Sequence, residues 1–292
     1  DLVRSRGLGD VYKRQDYMHP FTFNGVRSLI GAAGILVYIL ISRKIAGDKA
    51  AKLDWKLNVR AGLLCGIFLT IASTLQQFGI KYTSVGKAGF ITTLYIIFVP
   101  MFGVFLKKKV APVVWAAAGM AAVGMYLLCM TESLRLGAGD IMVFLCAIAF
   151  AIQIMTVDHY AARIDGAVVS CIQFTVCGVV CCIGALIWGQ PTFGQIQEGL
   201  GALLYAGVLS CGVGYTLQIV GQKGLNPTVA ALIMSLESVI ATISGWIAYK
   251  IGFLSTDQTL TPRQIAGCVI VFAAVILVQL PPEWFRFGKK ND

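Results

Sequence analysis

The chain has 292 residues, of which 57% are hydrophobic and 13% charged, and its mean hydropathy is +0.77. A soluble globule of this size needs more polar residues to cover its surface, so the composition excludes an ordinary soluble domain and predicts a membrane protein. The formal charge of +10 does not indicate nucleic-acid binding, because the basic residues lie in short segments between apolar runs, where the membrane surface is their natural partner. We therefore expect the lipid bilayer as a partner and no nucleic acid.

Nine apolar runs, each near twenty residues long, can cross about 30 Å of hydrocarbon as helices. Asn226-Pro227 and Thr261-Pro262 are typical helix starts, with the first residue as N-cap and proline in the first turn. Pro100 predicts a kink within the third span. In chain order the spans are predicted at 21–42, 61–80, 85–106, 112–130, 140–157, 166–189, 199–220, 227–249 and 262–280.

The sequence shows no pattern typical of a metal site, a cofactor site or an enzyme active site. All nine cysteines fall in the predicted spans without the spacing of a zinc or iron–sulfur site. We find no Gly-x-Ser-x-Gly elbow and no P-loop, and His19 and His159 lie at separate span ends. The sequence therefore predicts no metal, no cofactor and no enzymatic activity.

One stretch occurs twice in the chain. Residues 74–100 and 216–242, offset by 142 without a gap, share eight identical positions. The shared residues include Gln, Gly and Lys, which are rare inside apolar helices. We interpret the match as an internal repeat. The identical pairs are Thr74/Thr216, Leu75/Leu217, Gln76/Gln218, Gly79/Gly221, Lys81/Lys223, Ala88/Ala230, Ile91/Ile233 and Leu94/Leu236.

The second copy of the repeat holds five spans and the first holds four. By the repeat register, the span at 140–157 needs a counterpart just before residue 20, where the sequence is polar. We hypothesise that residues 1–15 are a non-native segment standing in place of a first helix. The predicted domains are then an incomplete first repeat and a complete second repeat, followed by a basic tail. Their ranges are 16–130, 139–281 and 282–292.

An odd number of helices per repeat makes the two halves cross the membrane in opposite directions. We therefore expect an all-α polytopic protein built from inverted five-helix repeats, a ten-helix plan in which nine spans are visible. If the 43–60 segment is cytoplasmic, the cytoplasmic segments hold 14 Lys and Arg and the external ones, leaving out residues 1–19, hold 4. This bias predicts a cytoplasmic C-terminus.

Inverted five-helix repeats are typical of secondary transporters, whose site between the halves faces each side of the membrane in turn. The segments HPFTFNGVRSLIGA, IKYTSVGKAGFITTLYIIFVP and QKGLNPTVAALIMSLESVIATISGW resemble the drug/metabolite transporter superfamily, in its EamA-type branch, and the resemblance covers residues 16–281. It implies export of small metabolites, such as amino acids or related compounds, across the inner (plasma) membrane. A multidrug or nucleotide-sugar carrier, a membrane-embedded enzyme, a scaffold and a homodimer stay open.

Three charged residues inside the spans are candidates for the translocation pathway, since each costs about 2.5–3.5 kcal/mol at a helix centre. Glu237, about eleven residues into its span, either contacts an amine, carries a coupling proton or makes a structural hydrogen bond. Lys87, near a span start, either snorkels to the external interface or binds a carboxylate. Arg27 lies deeper, and we expect it to pair with a carboxylate or line a cavity.

The repeat adds three polar candidates. Tyr95 is the counterpart of Glu237 and shares a helix face with Lys87. The two repeats would thus place a phenol and a carboxyl at equivalent depths beside the pseudo-axis. Gln76 and Gln218 form another equivalent pair, which either holds a polar ligand or bonds between helices.

Overall fold

The computed structural model describes residues 18–46, 53–108, 110–130, 137–251 and 259–280. Throughout these ranges the regular structure is helical, and no β-strand occurs among them. The α-helices in chain order are α1 Pro20–Ala46, α2 Trp55–Ile80, α3 Val85–Thr93, α4 Tyr95–Phe105, α5 Pro112–Cys129, α6 Ala138–Ala161, α7 Gly166–Gly184, α8 Phe193–Glu198, α9 Leu200–Leu204, α10 Tyr215–Gly221, α11 Pro227–Lys250 and α12 Pro262–Gln279.

Nine helical stretches of the described chain are long and apolar enough to cross a membrane. They match the nine predicted spans to within a few residues, which confirms the all-helical polytopic fold. The largest difference is at the second span, which begins at Trp55 rather than at residue 61. Asp54 explains the earlier start, because its carboxylate accepts a hydrogen bond from the Leu57 N–H at 3.0 Å and caps the helix.

The third span is interrupted at Leu94, between α3 and α4. Leu94 donates its N–H to the Ile91 carbonyl at 3.1 Å, and Ile97 donates to the Leu94 carbonyl at 2.9 Å. Both bonds reach back three residues instead of four, so the chain tightens locally. The predicted kink at Pro100 therefore lies elsewhere, since Pro100 sits inside α4 and the break comes more than one turn earlier.

Two stretches of the second half have π-helical hydrogen bonding. One, Ala185–Gly189, ends the span of α7, and the other, Tyr205–Gly214, joins α9 to α10. A π turn is wider than an α turn and occurs mostly at functional sites. The second stretch is ten residues long, so the seventh span is irregular along much of its length.

The two halves pack around each other in a pseudo-symmetric way. Helix α1 lies against its repeat counterpart α7, α4 against its counterpart α11, and α5 against α12. In addition, α1 contacts the 205–214 segment just as α7 contacts α2. Because α1 begins the first span and α7 the sixth, the two counterparts run in opposite directions if every span crosses the membrane. The packing agrees with an inverted repeat.

Helix α6 breaks this symmetry. It lies against α2, α3 and α4 of the first half. The repeat register puts its counterpart just before residue 20, and residues 1–17 lie outside the described residues. The predicted non-native segment at 1–15 and the predicted tail at 282–292 are therefore not part of the structure described.

Glycines allow the closest contacts between the halves. A Cβ added at Gly124 of α5 would lie 2.9 Å from the Val271 nitrogen and 3.0 Å from the Gly267 carbonyl oxygen of α12. A Cβ at Gly31 of α1 would lie 2.8 Å from the Gly207 carbonyl oxygen. The second contact brings α1 against the π-helical segment, and so fixes the position of Arg27, one turn before Gly31.

Candidate functional site

Four polar side chains from both halves interact electrostatically. Glu237 on α11 interacts with Tyr95 on α4 and with Tyr215 on α10. Tyr215 in turn interacts with Tyr95 and with Arg27 on α1. Three predicted pathway residues thus meet around a fourth, Tyr215. We refer to Arg27, Tyr95, Tyr215 and Glu237 as the central polar group.

Both tyrosines of the central polar group follow irregular backbone. Tyr95 is the first residue after the break at Leu94, and Tyr215 is the first residue after the π-helical segment. Irregular backbone within a membrane is tolerated where protein covers it or where it lines a cavity. Discontinuous helices also commonly form the substrate sites of transporters. The backbone and the side chains therefore point to the same part of the molecule.

Arg27 has an incompletely bonded guanidinium. Its Cζ atom lies 5.2 Å from the ring centroid of Phe23, and its buried Nε has no hydrogen-bond partner. The ion pairs found among the described residues do not include Arg27. The expected carboxylate partner is thus not seen there. A ring face neutralises a cation only weakly, so Arg27 keeps donors available for an anionic group.

Glu237 lies midway along α11 and its side chain is exposed. Neighbouring exposed residues on the same face are Ile233 and Ile240. Within the described ranges, the ion pairs leave out Glu237. A carboxyl at this depth without a cationic partner is costly. Its placement beside two phenols gives it neighbours that can donate hydrogen bonds.

Tyr215 was not among the sequence candidates. It precedes the repeated stretch by one residue, and its counterpart at the same offset is Ser73, so the repeat comparison gave it no weight. A ring contact with Phe174 at 5.3 Å holds the Tyr215 side chain edge-on against α7. The available signal was the glycine-rich sequence that leads into it, GVGY, which is typical of an irregular span.

Lys87 belongs to a different polar cluster. Its Nζ donates to Asp140 Oδ2 at 2.6 Å, and the two side chains are 10% and 2% exposed. Asp140 also accepts from the Thr83 hydroxyl at 2.5 Å and from the Gly137 N–H at 2.8 Å. Lys87 therefore neither snorkels freely nor joins the central polar group, since it precedes Tyr95 by eight residues, about 12 Å along a helix.

This second cluster borders a polar cavity of about 450 Å³. The ion pair attaches the start of α3, in the first half, to the start of α6, in the second. A second pair, Lys108 with Asp158 at 2.6 Å, attaches the far ends of the same two spans. The spans of α3–α4 and α6 are thus joined at both ends. The lining residues are Lys81, Tyr82, Thr83, Ser84, Lys87, Gly137 and Asp140.

Comparison with known proteins places this geometry in a family. The model of the EamA-like transporter family matches residues 11–130 and again residues 137–280. The chain belongs to the EamA-like transporter family. The double match also agrees with the internal repeat, and membership makes the chain a transporter of the drug/metabolite superfamily.

Individual relatives agree with this family assignment. The chain is 27% identical to a protein named "Uncharacterized transporter" from Archaeoglobus fulgidus, over 91% of this chain and 78% of the relative. It is 22% identical to another of the same name from Clostridium kluyveri, over 92% and 86%. A solved structure of 15% identity superposes with a TM-score of 0.73, covering 96% of this chain and 94% of its own. That likeness concerns the fold alone.

The two glutamines of this EamA-type chain have different surroundings. Gln76 donates from Nε2 to the Thr92 hydroxyl at 3.3 Å and so bonds α2 to α3. Its counterpart Gln218 is half-buried on α10, one turn beyond Tyr215. The interhelical alternative describes Gln76. The described residues contain no group of three or more His, Cys, Asp or Glu that could hold a metal ion.

Proposed function

We propose that this chain is a secondary transporter, working as an exporter, for small metabolites that carry both an amine and an acidic group, such as amino acids or related compounds. The observation that supports this most is the central polar group. It combines a guanidinium and a carboxyl that do not neutralise each other in an ion pair, and two phenols lie beside them. The export direction rests on the resemblance to EamA-type proteins.

In this proposal each residue has a separate role. Arg27 donates hydrogen bonds to the acidic group of the substrate, and Glu237 accepts them from its ammonium. Tyr95 and Tyr215 supply hydroxyls on either side, and because both follow irregular backbone, small changes in helix geometry move them. Such a site between two halves is opened to each membrane face in turn by rocking of one half against the other.

Substrate counterflow in liposomes tests the proposal. The full chain is reconstituted, the vesicles are loaded with one unlabelled amino acid at a time, and uptake of the labelled compound is followed. We expect uptake with at least one amino acid. We expect Glu237→Gln to lower it by about 10- to 100-fold, since a hydrogen bond to a charged group contributes about 1.5–3 kcal/mol.

Glu198→Gln is the matched control, because Glu198 is an exposed carboxylate on α8 outside the central polar group. It should transport as the unmodified chain does. Equal transport by Glu237→Gln across pH would contradict a role for this carboxyl in binding or in proton coupling. Uptake of nucleotide sugars or hydrophobic drugs instead of amino acids would replace the substrate class, and no movement of any solute would favour an enzyme or a scaffold.

A further inference from the structure

A groove of about 600 Å³ opens on the outer surface at the start of α2, away from the central polar group. Its wall is a single helical stretch of alternating character. Two basic side chains, Lys56 and Arg60, lie one turn apart, and apolar side chains continue from them along the span. The full lining is Trp55, Lys56, Val59, Arg60, Leu63 and Leu64.

The cations of this groove are not used by the rest of the fold. Lys56 and Arg60 are both exposed, and the ion pairs formed in the described ranges involve neither. Asp54, the nearest carboxylate in the sequence, is engaged as the N-cap of α2. The groove therefore presents a net positive charge with an open coordination site for an anion.

The apolar part of the groove points to the kind of anion. Trp55 is 60% exposed, and Val59 and Leu63 are also exposed large side chains. All three lie at the start of a membrane span, where a tryptophan is typically at headgroup level. A free phosphate would use the basic end alone, whereas a phospholipid would use both the basic end and the apolar wall.

The other repeat shows that the fold does not require this charge. At the repeat offset of 142, the positions of Trp55, Lys56 and Arg60 correspond to Gln197, Glu198 and Ala202. The charge is thus reversed at the equivalent place, which an inverted repeat puts at the opposite membrane face. The basic groove is a property of one half and of one leaflet.

We propose that the groove at the start of α2 binds an anionic phospholipid. The phosphate lies between Lys56 and Arg60, an acyl chain lies along Val59 and Leu63, and Trp55 packs beside the headgroup. Basic pockets at span ends bind anionic headgroups in this manner. The site is independent of the transported substrate, so it stands whether or not the central polar group binds amino acids.

Quenching of Trp55 by brominated lipids tests the site directly. The full chain is reconstituted in phosphatidylcholine vesicles that contain an equal fraction of dibrominated phosphatidylglycerol or dibrominated phosphatidylcholine. The Trp55 signal is the difference between the unmodified chain and Trp55→Phe. We expect phosphatidylglycerol to be preferred at Trp55 by about fivefold for each basic side chain, and the preference to fall in about 1 M salt, where the Debye length is ~3 Å.

The variants separate the site from general surface charge. Lys56→Gln/Arg60→Gln should abolish the preference, while Lys56→Arg, which keeps the charge, should retain it. Lys223→Gln, an exposed lysine elsewhere in the chain, should change nothing. Equal quenching by both lipids in the unmodified chain would overturn the proposal, as would a preference that survives the double substitution.

Discussion

The same helix face is covered in one repeat and open in the other. In the first half, Ile91 of α3 and Val99 of α4 are buried against α6, and Phe98 contacts Phe144 edge-on at 5.4 Å. In the second half, the counterparts are all exposed on α11. They are Ile233, Ile240 and Ala241.

Glu237 and its counterpart Tyr95 lie on these two faces. Tyr95 packs against buried clusters that include residues of α6, whereas Glu237 stands on the open face of α11. A carboxyl on the open side keeps an unpaired charge, while a phenol on the covered side fits an apolar contact surface. The comparison shows that repeat equivalence fixes the depth of a residue, and that the neighbouring helix fixes its environment.

The largest effect is expected where α6 is attached to the covered face. Lys87→Gln leaves Asp140 buried without its cation, and breaking a buried pair costs about 3–5 kcal/mol. The free energy of unfolding, measured by denaturing-detergent titration in mixed micelles with circular dichroism, should fall by that amount. The matched control is Lys108→Gln, because Lys108 is 48% exposed, and exposed pairs contribute about 0–1 kcal/mol. Equal losses for both variants would show that α6 is not held through Asp140.

The repeat provides an identical residue on each face for the next test. Ile91 is 8% exposed and its counterpart Ile233 is 36% exposed. Ile91→Ala should lower the free energy of unfolding by at least about 2 kcal/mol through the cavity it leaves, and Ile233→Ala by less than about 1 kcal/mol. The same detergent titration measures both. If Ile233→Ala proved as costly as Ile91→Ala, the face of α11 would be covered in the folded protein.

A smaller effect is expected where the two halves are alike. Gly124→Ala pushes a methyl group into the α12 backbone, and overpacking of this kind costs about 1–3 kcal/mol. Gly119→Ala on the same helix meets nothing within 4 Å and should be neutral or slightly stabilising. Thermal unfolding of the two variants side by side gives the difference. Similar midpoints would mean that α5 and α12 do not cross at Gly124.

Most of the fold could be predicted from the sequence, because apolar length alone identifies a span in lipid. The start of α2 was placed late, since the polar turn containing Lys56 and Arg60 does not read as part of a span, although Asp54 caps it into the helix. The break at Leu94 was misplaced to Pro100. Proline is the visible signal, but the backbone yields where neighbouring helices permit it.

The central polar group was predictable in part. Arg27, Tyr95 and Glu237 stood out as polar residues in apolar surroundings or as repeat counterparts. Tyr215 did not, because its role depends on the π-helical backbone before it, which leaves no periodic pattern in the sequence. Lys87 was singled out for its charge, yet its partner Asp140 comes from a helix 53 residues away, and such a pairing is decided by tertiary packing.

The π-helical segment before Tyr215 also determines which way that side chain faces. A π turn holds one residue more than an α turn, so each π turn that reverts to α geometry rotates everything beyond it by about 100° around the helix axis. Tyr215 could thereby be turned away from Arg27 and Glu237 while the span keeps its place in the bilayer. The seventh span contains a rotary element, whereas the break at Leu94 is built to bend.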